Sequence, residues 1–327
     1  MNDIPLPRRE ALRRLVALAA TAAVPAPLAG CRDTPAPEET EAPAAPPEPT
    51  LEVPEASTED RARLLGWVET LRSEPVGERS SAFRLAAARV GELAIGTPYE
   101  GFTLEAYLRA GGSPTRTEPL TLDLTKFDCV SLVESCIAIA RIARSDEPPT
   151  WEAFAREMER MRYRGGDRDG YVSRLHYFSE WLADNESRGL VERRGRQLGG
   201  VPDDRPLRFM SEHPDAYPAL SSPEVLEEIA QTERELDDLT RWVVPTEQIP
   251  QADPQIQTGD ILAFATSIAG LDVSHAAFAY RDSNDVLRVL HAPLSGGVVE
   301  ITDATLPEYV AAINQATGIL VARPLDA

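Results

Sequence analysis

Three residue types carry the chemistry this sequence can offer: a pair of cysteines, a small set of histidines, and acids that flank them. Cys129 and Cys136 stand seven residues apart in TKFDCVSLVESCIAIAR, residues 125–141. Apolar Val130, Leu132, Val133, Ile137, Ile139 and Ala140 crowd this stretch without Pro or Gly, and Asp128 is a good N-cap, so the pattern predicts a helix beginning at Cys129. Seven helical residues rise about 10.5 Å. A disulfide needs Cα atoms within roughly 7 Å, so these two cysteines do not bridge. Cys136 reads as a small buried hydrophobe. Cys129 would sit in the first turn, where free backbone N–H groups and the positive dipole end favour a thiolate. From this stretch alone, a reactive thiol and a buried structural cysteine both stand.

The chain has four histidines, His176, His213, His275 and His291. His213, in SEHPDAYP, reads as a loop residue. His275 opens an apolar run after Asp272 and Ser274, and His291 closes the next one before Ala292-Pro293. Antiparallel neighbours joined by a short turn place the start of one strand beside the end of the next. His275 and His291 are therefore expected side by side. With Cys129 they would make a nucleophile, a base and an orienting group. Zinc is the rival reading. A Cys/His/His site is chemically sound, but the spacing between these residues matches no close metal motif, and no cofactor is expected.

The elements that must position these groups fall into two halves. Helices are predicted over 57–74, 80–94, 150–162 and 222–243, the last closed by Pro245. TLDL (121–124) reads as a strand or an extended lead-in to the Cys129 helix, and 171–185 mixes strand and helix signals. Short apolar runs follow at 259–267, 274–282, 285–294 and 297–302, then a short helix at 306–314 and a last strand at 318–325. Helices first and antiparallel strands after them indicate an α+β fold.

The N-terminus bears on compartment. Arg8, Arg9, Arg13 and Arg14 precede an apolar run from Leu15 to Leu28, too short to span a membrane and arranged like a signal peptide. Arg8-Arg9 resembles a twin-arginine signal. Leu28-Ala29-Gly30-Cys31 resembles a bacterial lipobox, which implies cleavage before Cys31 and its lipidation. Residues 33–59 hold seven Pro and eight acids with no Lys, Arg or aromatic residue. Such a segment cannot bury enough surface to fold, and it reads as a tether. The expected organisation is a signal peptide over 1–30, a lipidated cysteine and tether over 31–59, and a catalytic domain with a helical insert over 60–327. Without residues 1–30 the chain carries 29 basic and 51 acidic residues, a net charge of −22. That argues against a nucleic-acid partner. Two free cysteines in an exported chain fit a protected or reactive thiol better than a disulfide scaffold.

Several stretches carry a family resemblance. The DC pair at a helix start, then GDILAF, SHAAFAY and VLHAPLSGGVVEI in order, resemble NlpC-type, papain-like cysteine hydrolases. LDLTKFDCVSLVE, RMRYRGGDRDGYVSRLHYFSEWLADN, GLDVSHAAFAY and GILVARPL more narrowly resemble the N-acetylmuramoyl-L-alanine amidase-like family, from about residue 60 to the C-terminus. The resemblance implies Cys129 as nucleophile, His275 as base and His291 as the orienting residue. It implies peptidoglycan fragments as substrate, cut between the lactyl group of muramic acid and L-Ala. Ser131 stands where the family more often has Thr. A stem-peptide endopeptidase cutting after γ-D-Glu, and an inactive cell-wall-binding lipoprotein, are the alternatives.

Around this set, Tyr163, Arg164, Ser173, Arg174, His176 and Tyr177 form a candidate substrate-binding cluster. Arg164 and Arg174 could clamp peptide carboxylates; internal salt bridges are the competing reading in so acidic a chain. His176 competes with His275 for the role of base. Asp128 is expected to cap the helix and is a candidate for orienting substrate, while Asp272 and Ser274 flank the base. The expected setting is a membrane-anchored lipoprotein facing the periplasm. Arg32, in place of the Asp that marks inner-membrane retention, favours the outer membrane.

Overall fold

The computed structural model describes residues 52–74, 79–293 and 297–326. The expected export signal, Cys31 and most of the expected tether lie outside the described residues. Among those described, no helix is long and apolar enough to cross a membrane.

Helix α1 (Thr58–Ser73) starts on a reciprocal capping box between Ser57 and Asp60. Asp60 also accepts the backbone N–H of Leu124 at 2.8 Å, which ties α1 to the extended lead-in before Cys129. Helix α2 (Arg79–Leu93) follows. Helix α3 (Cys129–Arg144) is buried without a break from Leu132 to Ile142. Its apolar residues show no clean stripe because α1, α2, the next helix and the sheet pack around it. Helices α4 (Trp151–Arg162), α5 (Phe178–Ser187), α6 (Pro223–Glu235) and α7 (Leu306–Ala312) complete the longer helices. Residues within the stretch expected as tether join the fold: Trp151 Nε1 donates to the Pro54 carbonyl at 3.0 Å, and Val53 packs on the core.

The strands are β1 (Val191–Arg193), β2 (Val201–Asp203), β3 (Arg241–Pro245), β4 (Ile261–Thr266), β5 (Val273–Arg281), β6 (Leu287–His291), β7 (Glu300–Ile301) and β8 (Ala316–Pro324). They form one sheet in the order β2-β3-β8-β4-β5-β6-β7, with β1 also on β8, and every pairing is antiparallel. The fold is thus mixed α+β.

Both faces of the sheet are covered. In β4, Ile261, Ala263 and Ala265 face the cluster that contains α1 to α5, while Leu262 and Phe264 face a second cluster with α7. That is why ILAFAT is continuously apolar rather than alternating. Gly259 makes the turn into β4 at φ +86°, and a Cβ there would lie 2.0 Å from the Arg84 carbonyl oxygen, so α2 meets the sheet through a residue that must lack a side chain.

Two expectations need correction. The helix expected over 222–243 stops at Glu235, and Arg241-Trp242-Val243-Val244-Pro245 forms β3 instead. β-Branched and aromatic residues in that run prefer the pleated edge of β8 to a helix surface. The strand expected over 297–302 shrinks to Glu300–Ile301, with Val298 bridging to Pro98, whereas TLDL forms no strand and is the lead-in to α3.

Candidate active site

Cys129 is the first residue of α3. Asp128 caps the helix: its carboxylate accepts the Ser131 N–H at 2.7 Å, and Ser131 Oγ accepts the Asp128 N–H at 2.9 Å. This box leaves the N–H groups of Cys129 and Val130 free of helix partners, and both favour a thiolate on Cys129. The N–H of Ala276 on β5 acts in the same direction. β6 pairs only with Phe278–Arg281 of β5. The Val273–Ala277 edge is therefore open on that side, and α3 packs against β5.

A helix N-terminus by itself lowers a thiol pKa. Burial, reinforced by the Asp128 carboxylate, instead pushes the Cys129 thiol up to about 12, outweighing the three backbone N–H groups. Cys136 lies two turns on, fully in the core, and both sulfurs are free.

His275 directly precedes Ala276. Its Nε2 lies 2.8 Å from Nδ1 of His291, which ends β6. His291 is 1% exposed, not turned to solvent. Phe264 stacks on His275 with ring centroids 5.7 Å apart, and Tyr309 of α7 meets His291 edge-on. Tyr309 Oη is 3.2 Å from the same His291 Nδ1. Burial first, then the neighbouring His291, lowers His275 to about 3; burial lowers His291 to about 4. The resting pair is neutral. With Nε2 taken by His291, Nδ1 is the second nitrogen of the His275 ring.

Two tyrosines not singled out from the sequence are coupled electrostatically to Cys129. Tyr309 and Tyr99 are both raised to about 12, by burial first and in part by the charge of Cys129. Tyr309 lies in an ordinary amphipathic segment and Tyr99 just past a helix stop, so neither carried a local signal. Tyr99 is placed by a bridge to Phe127 and by its N–H donating to the Gly297 carbonyl at 2.8 Å.

The insert cluster is arranged differently. Arg174 is buried, ion-paired to Glu105 at 2.7 Å and to Glu118 at 3.4 Å, and lies over the Tyr171 ring. Tyr163 donates to Glu118 and Tyr177 to Glu233. Arg164 pairs with Glu180 and donates to the Val172 carbonyl. Ser173 Oγ bonds within its own turn to Asp169 and Gly170. His176 packs at a tilt against Tyr171, with Nε2 2.8 Å from the Tyr171 carbonyl oxygen. Burial and the Arg174 charge hold His176 well below the usual imidazole range. These side chains have internal partners. Asp272 is buried too: it accepts the Ser179 N–H at 2.7 Å at the start of α5 and the N–H of Val273. Ser274 is exposed. Among the described residues, no group of three or more His, Cys, Asp or Glu side chains is arranged to hold a metal ion.

A cysteine at a helix N-terminus, beside a histidine pair on an antiparallel sheet, defines an α+β protein with a candidate nucleophilic site. The chain belongs to the AmiA-like, N-acetylmuramoyl-L-alanine amidase-like family, whose model matches residues 89–319. It is similar to a solved N-acetylmuramoyl-L-alanine amidase from Bacteroides uniformis, 30% identical over 74% of this chain and 98% of that one, with a TM-score of 0.67. A Bacteroides fragilis protein assigned provisionally as a xylanase is 33% identical over 71% of this chain and 98% of that one, with a TM-score of 0.65. A Legionella pneumophila protein at 18% identity, covering 82% of this chain and 95% of its own with a TM-score of 0.58, shares the fold. Among curated proteins none matches. The family is one of amidase-like peptidoglycan hydrolases.

Proposed function

We propose that this protein hydrolyses the amide between the lactyl group of N-acetylmuramic acid and L-Ala in peptidoglycan fragments, by covalent thiol catalysis on a papain-like, NlpC-type scaffold. The observation that carries the reading is the 2.8 Å contact between His275 Nε2 and His291 Nδ1, next in sequence to Ala276, whose N–H favours a thiolate on Cys129. A neutral thiol and a neutral imidazole suit a step in which the proton leaves sulfur as sulfur attacks.

In that step Sγ bonds to the lactyl carbonyl carbon, and His275 Nδ1 takes the thiol proton. The carbonyl oxygen becomes an oxyanion. The free N–H groups of Cys129 and Val130 at the helix start are its natural donors; one such donor is worth about 2.7–4 kcal/mol. The C–N bond breaks, and the imidazolium returns its proton to the L-Ala nitrogen. A water then attacks the thioester carbon, His275 takes one of its protons, and the C–S bond breaks to regenerate the thiol. One amide and one water give one carboxylic acid and one amine. Tyr99 and Tyr309 offer aromatic surface near Cys129 for the substrate.

The lipobox-like segment ending at Cys31 supports an exported protein anchored by lipid and facing the periplasm, with the outer membrane favoured by Arg32. The deciding experiment is mass spectrometry of a defined disaccharide tetrapeptide after incubation with the enzyme. Free disaccharide and intact tetrapeptide are expected. Release of L-Ala-γ-D-Glu from a sugar-free stem peptide, with the disaccharide substrate untouched, would replace the amidase reading with an endopeptidase.

A further inference from the structure

We infer that Glu300 is a positioning residue that selects the productive tautomer of the histidine pair, with Tyr309 sharing the hydrogen bond that couples the two rings. The inference rests on the Cys129/His275/His291 reading above and extends it to a carboxylate and a hydroxyl outside that set.

The geometry starts from one nitrogen. Nδ1 of His291 has two neighbours within hydrogen-bond reach, His275 Nε2 at 2.8 Å and Tyr309 Oη at 3.2 Å. A neutral imidazole carries one N–H and one lone pair. If His291 Nδ1 holds the lone pair, it accepts from the His275 Nε2–H and from the Tyr309 hydroxyl. His275 then keeps its lone pair on Nδ1 and can act as a base toward the thiol. If His291 Nδ1 instead carries the proton and donates to His275 Nε2, the His275 proton moves to Nδ1. The ring then meets the thiol with an N–H and accepts nothing.

The choice between these states is made at the far side of His291. Its Nε2 is buried with no hydrogen-bond partner in the structure. Glu300 is the cross-strand partner of His291 in the β6–β7 ladder, so the two side chains share a face, and Glu300 Oε1 lies 3.8 Å from that Nε2. This gap is one that a small rotamer change or a bridging water closes. A carboxylate there attracts an Nε2–H and repels an Nε2 lone pair. It therefore favours the first state, in which protons run from Glu300 outward: His291 Nε2–H toward the carboxylate, His275 Nε2–H toward His291, and a free Nδ1 toward sulfur. When His275 becomes an imidazolium, the same carboxylate opposes its charge through the intervening ring. The titratable groups facing His291 are His275 from β5, Glu300 from β7 and Tyr309 from α7, and of these Glu300 alone has a carboxylate to offer.

The test uses the purified full-length protein. In wild type, ¹⁵N chemical shifts of the imidazoles, assigned with single His→Gln variants, should show His291 protonated on Nε2 and unprotonated on Nδ1. Glu300→Ala should mix or invert that tautomer. It should lower kcat by about tenfold or more, short of the roughly 10⁴-fold loss that a wrong tautomer causes in a serine triad, with KM changed less than twofold. Glu300→Asp should recover most of the rate. A wild-type His291 protonated on Nδ1, or a Glu300→Ala enzyme with wild-type kcat and tautomer, overturns the inference. Cys129→Ala is the control that separates the two levels. If it stays active, the catalytic reading fails, and the tautomer measurement still decides the role of Glu300.

Discussion

Glu134 and Arg162 meet 2.8 Å apart with side chains 2% and 3% exposed, joining the helix that carries Cys129 to the one packed against it. Glu134 also accepts Trp181 Nε1 from α5 at 3.2 Å, and Arg162 donates to the Thr121 carbonyl in the lead-in to Cys129 at 2.6 Å. Three segments are thus tied to the Cys129 helix through one ion pair. Removing one partner strands a buried charge, which costs about 3–5 kcal/mol. Glu134→Ala should lower the denaturant midpoint accordingly with an unchanged m-value. A loss below about 1 kcal/mol would mean that relaxation or water replaces the pair.

Cys129→Ala should abolish turnover and leave the denaturation midpoint near wild type, since the capping box belongs to Asp128 and Ser131. Cys136→Ala should keep its activity and lose about 1 kcal/mol of stability from a smaller core side chain. Alkylation of Cys129 by iodoacetamide should speed up with pH through 9 and beyond without a plateau, because a thiol pushed up to about 12 has little thiolate at neutrality. Catalysis lost in Cys136→Ala but not in Cys129→Ala would assign the wrong sulfur.

The residues that repay reading in the sequence are those whose role is local. The helix start at Cys129 was legible because an N-cap acts within its own turn, and β4, β5 and β6 were legible because apolar runs between turn residues have few other uses. The meeting of His275 with His291 followed from antiparallel geometry alone. The short strands β1 and β2 were not legible, since three residues bordered by charges carry no period, and β3 was masked by the helical pattern running into it. Tyr99, Tyr309 and Glu300 reach the site only through pairings with Phe127, Phe264 and His291, which no local pattern announces. Arg174 shows the opposite case. A cation beside aromatic residues reads equally as a ligand clamp or an internal pair, and only the positions of Glu105 and Glu118 distinguish them.

Those positions change what Arg174→Ala should do. Its guanidinium pairs with Glu105 and Glu118, and Glu118 is itself 1% exposed. The dominant effect should be a stability loss of about 3–5 kcal/mol from the uncompensated Glu118. Arg174→Lys should recover only part of it, because a point charge cannot reach both carboxylates as the planar fork does. The check is chemical denaturation of both variants beside wild type. Full stability in Arg174→Ala, together with a raised KM, would return this residue to the substrate.

The last prediction concerns acid. Burial and the adjacent ring lower His275 to about 3, and burial lowers His291 to about 4. In the unfolded chain each titrates near 6.5. Between these limits the unfolded state binds more protons than the folded one, so unfolding free energy falls as pH falls. The contribution is complete above about pH 6.5 and is lost progressively down to the folded values near 3 and 4. Denaturation midpoints measured from pH 7 to pH 4 should therefore drop in wild type, and drop less in the His275→Gln/His291→Gln double variant, whose side chains do not titrate. The same lowering removes the ordinary imidazole limb from the kcat/KM profile of the free enzyme, since a base already neutral at pH 5 has no proton to lose on the way to pH 7. Equal pH slopes in wild type and the double variant, or a limb at about pH 6.5 that disappears with His275, would show histidines that are solvated and ordinary.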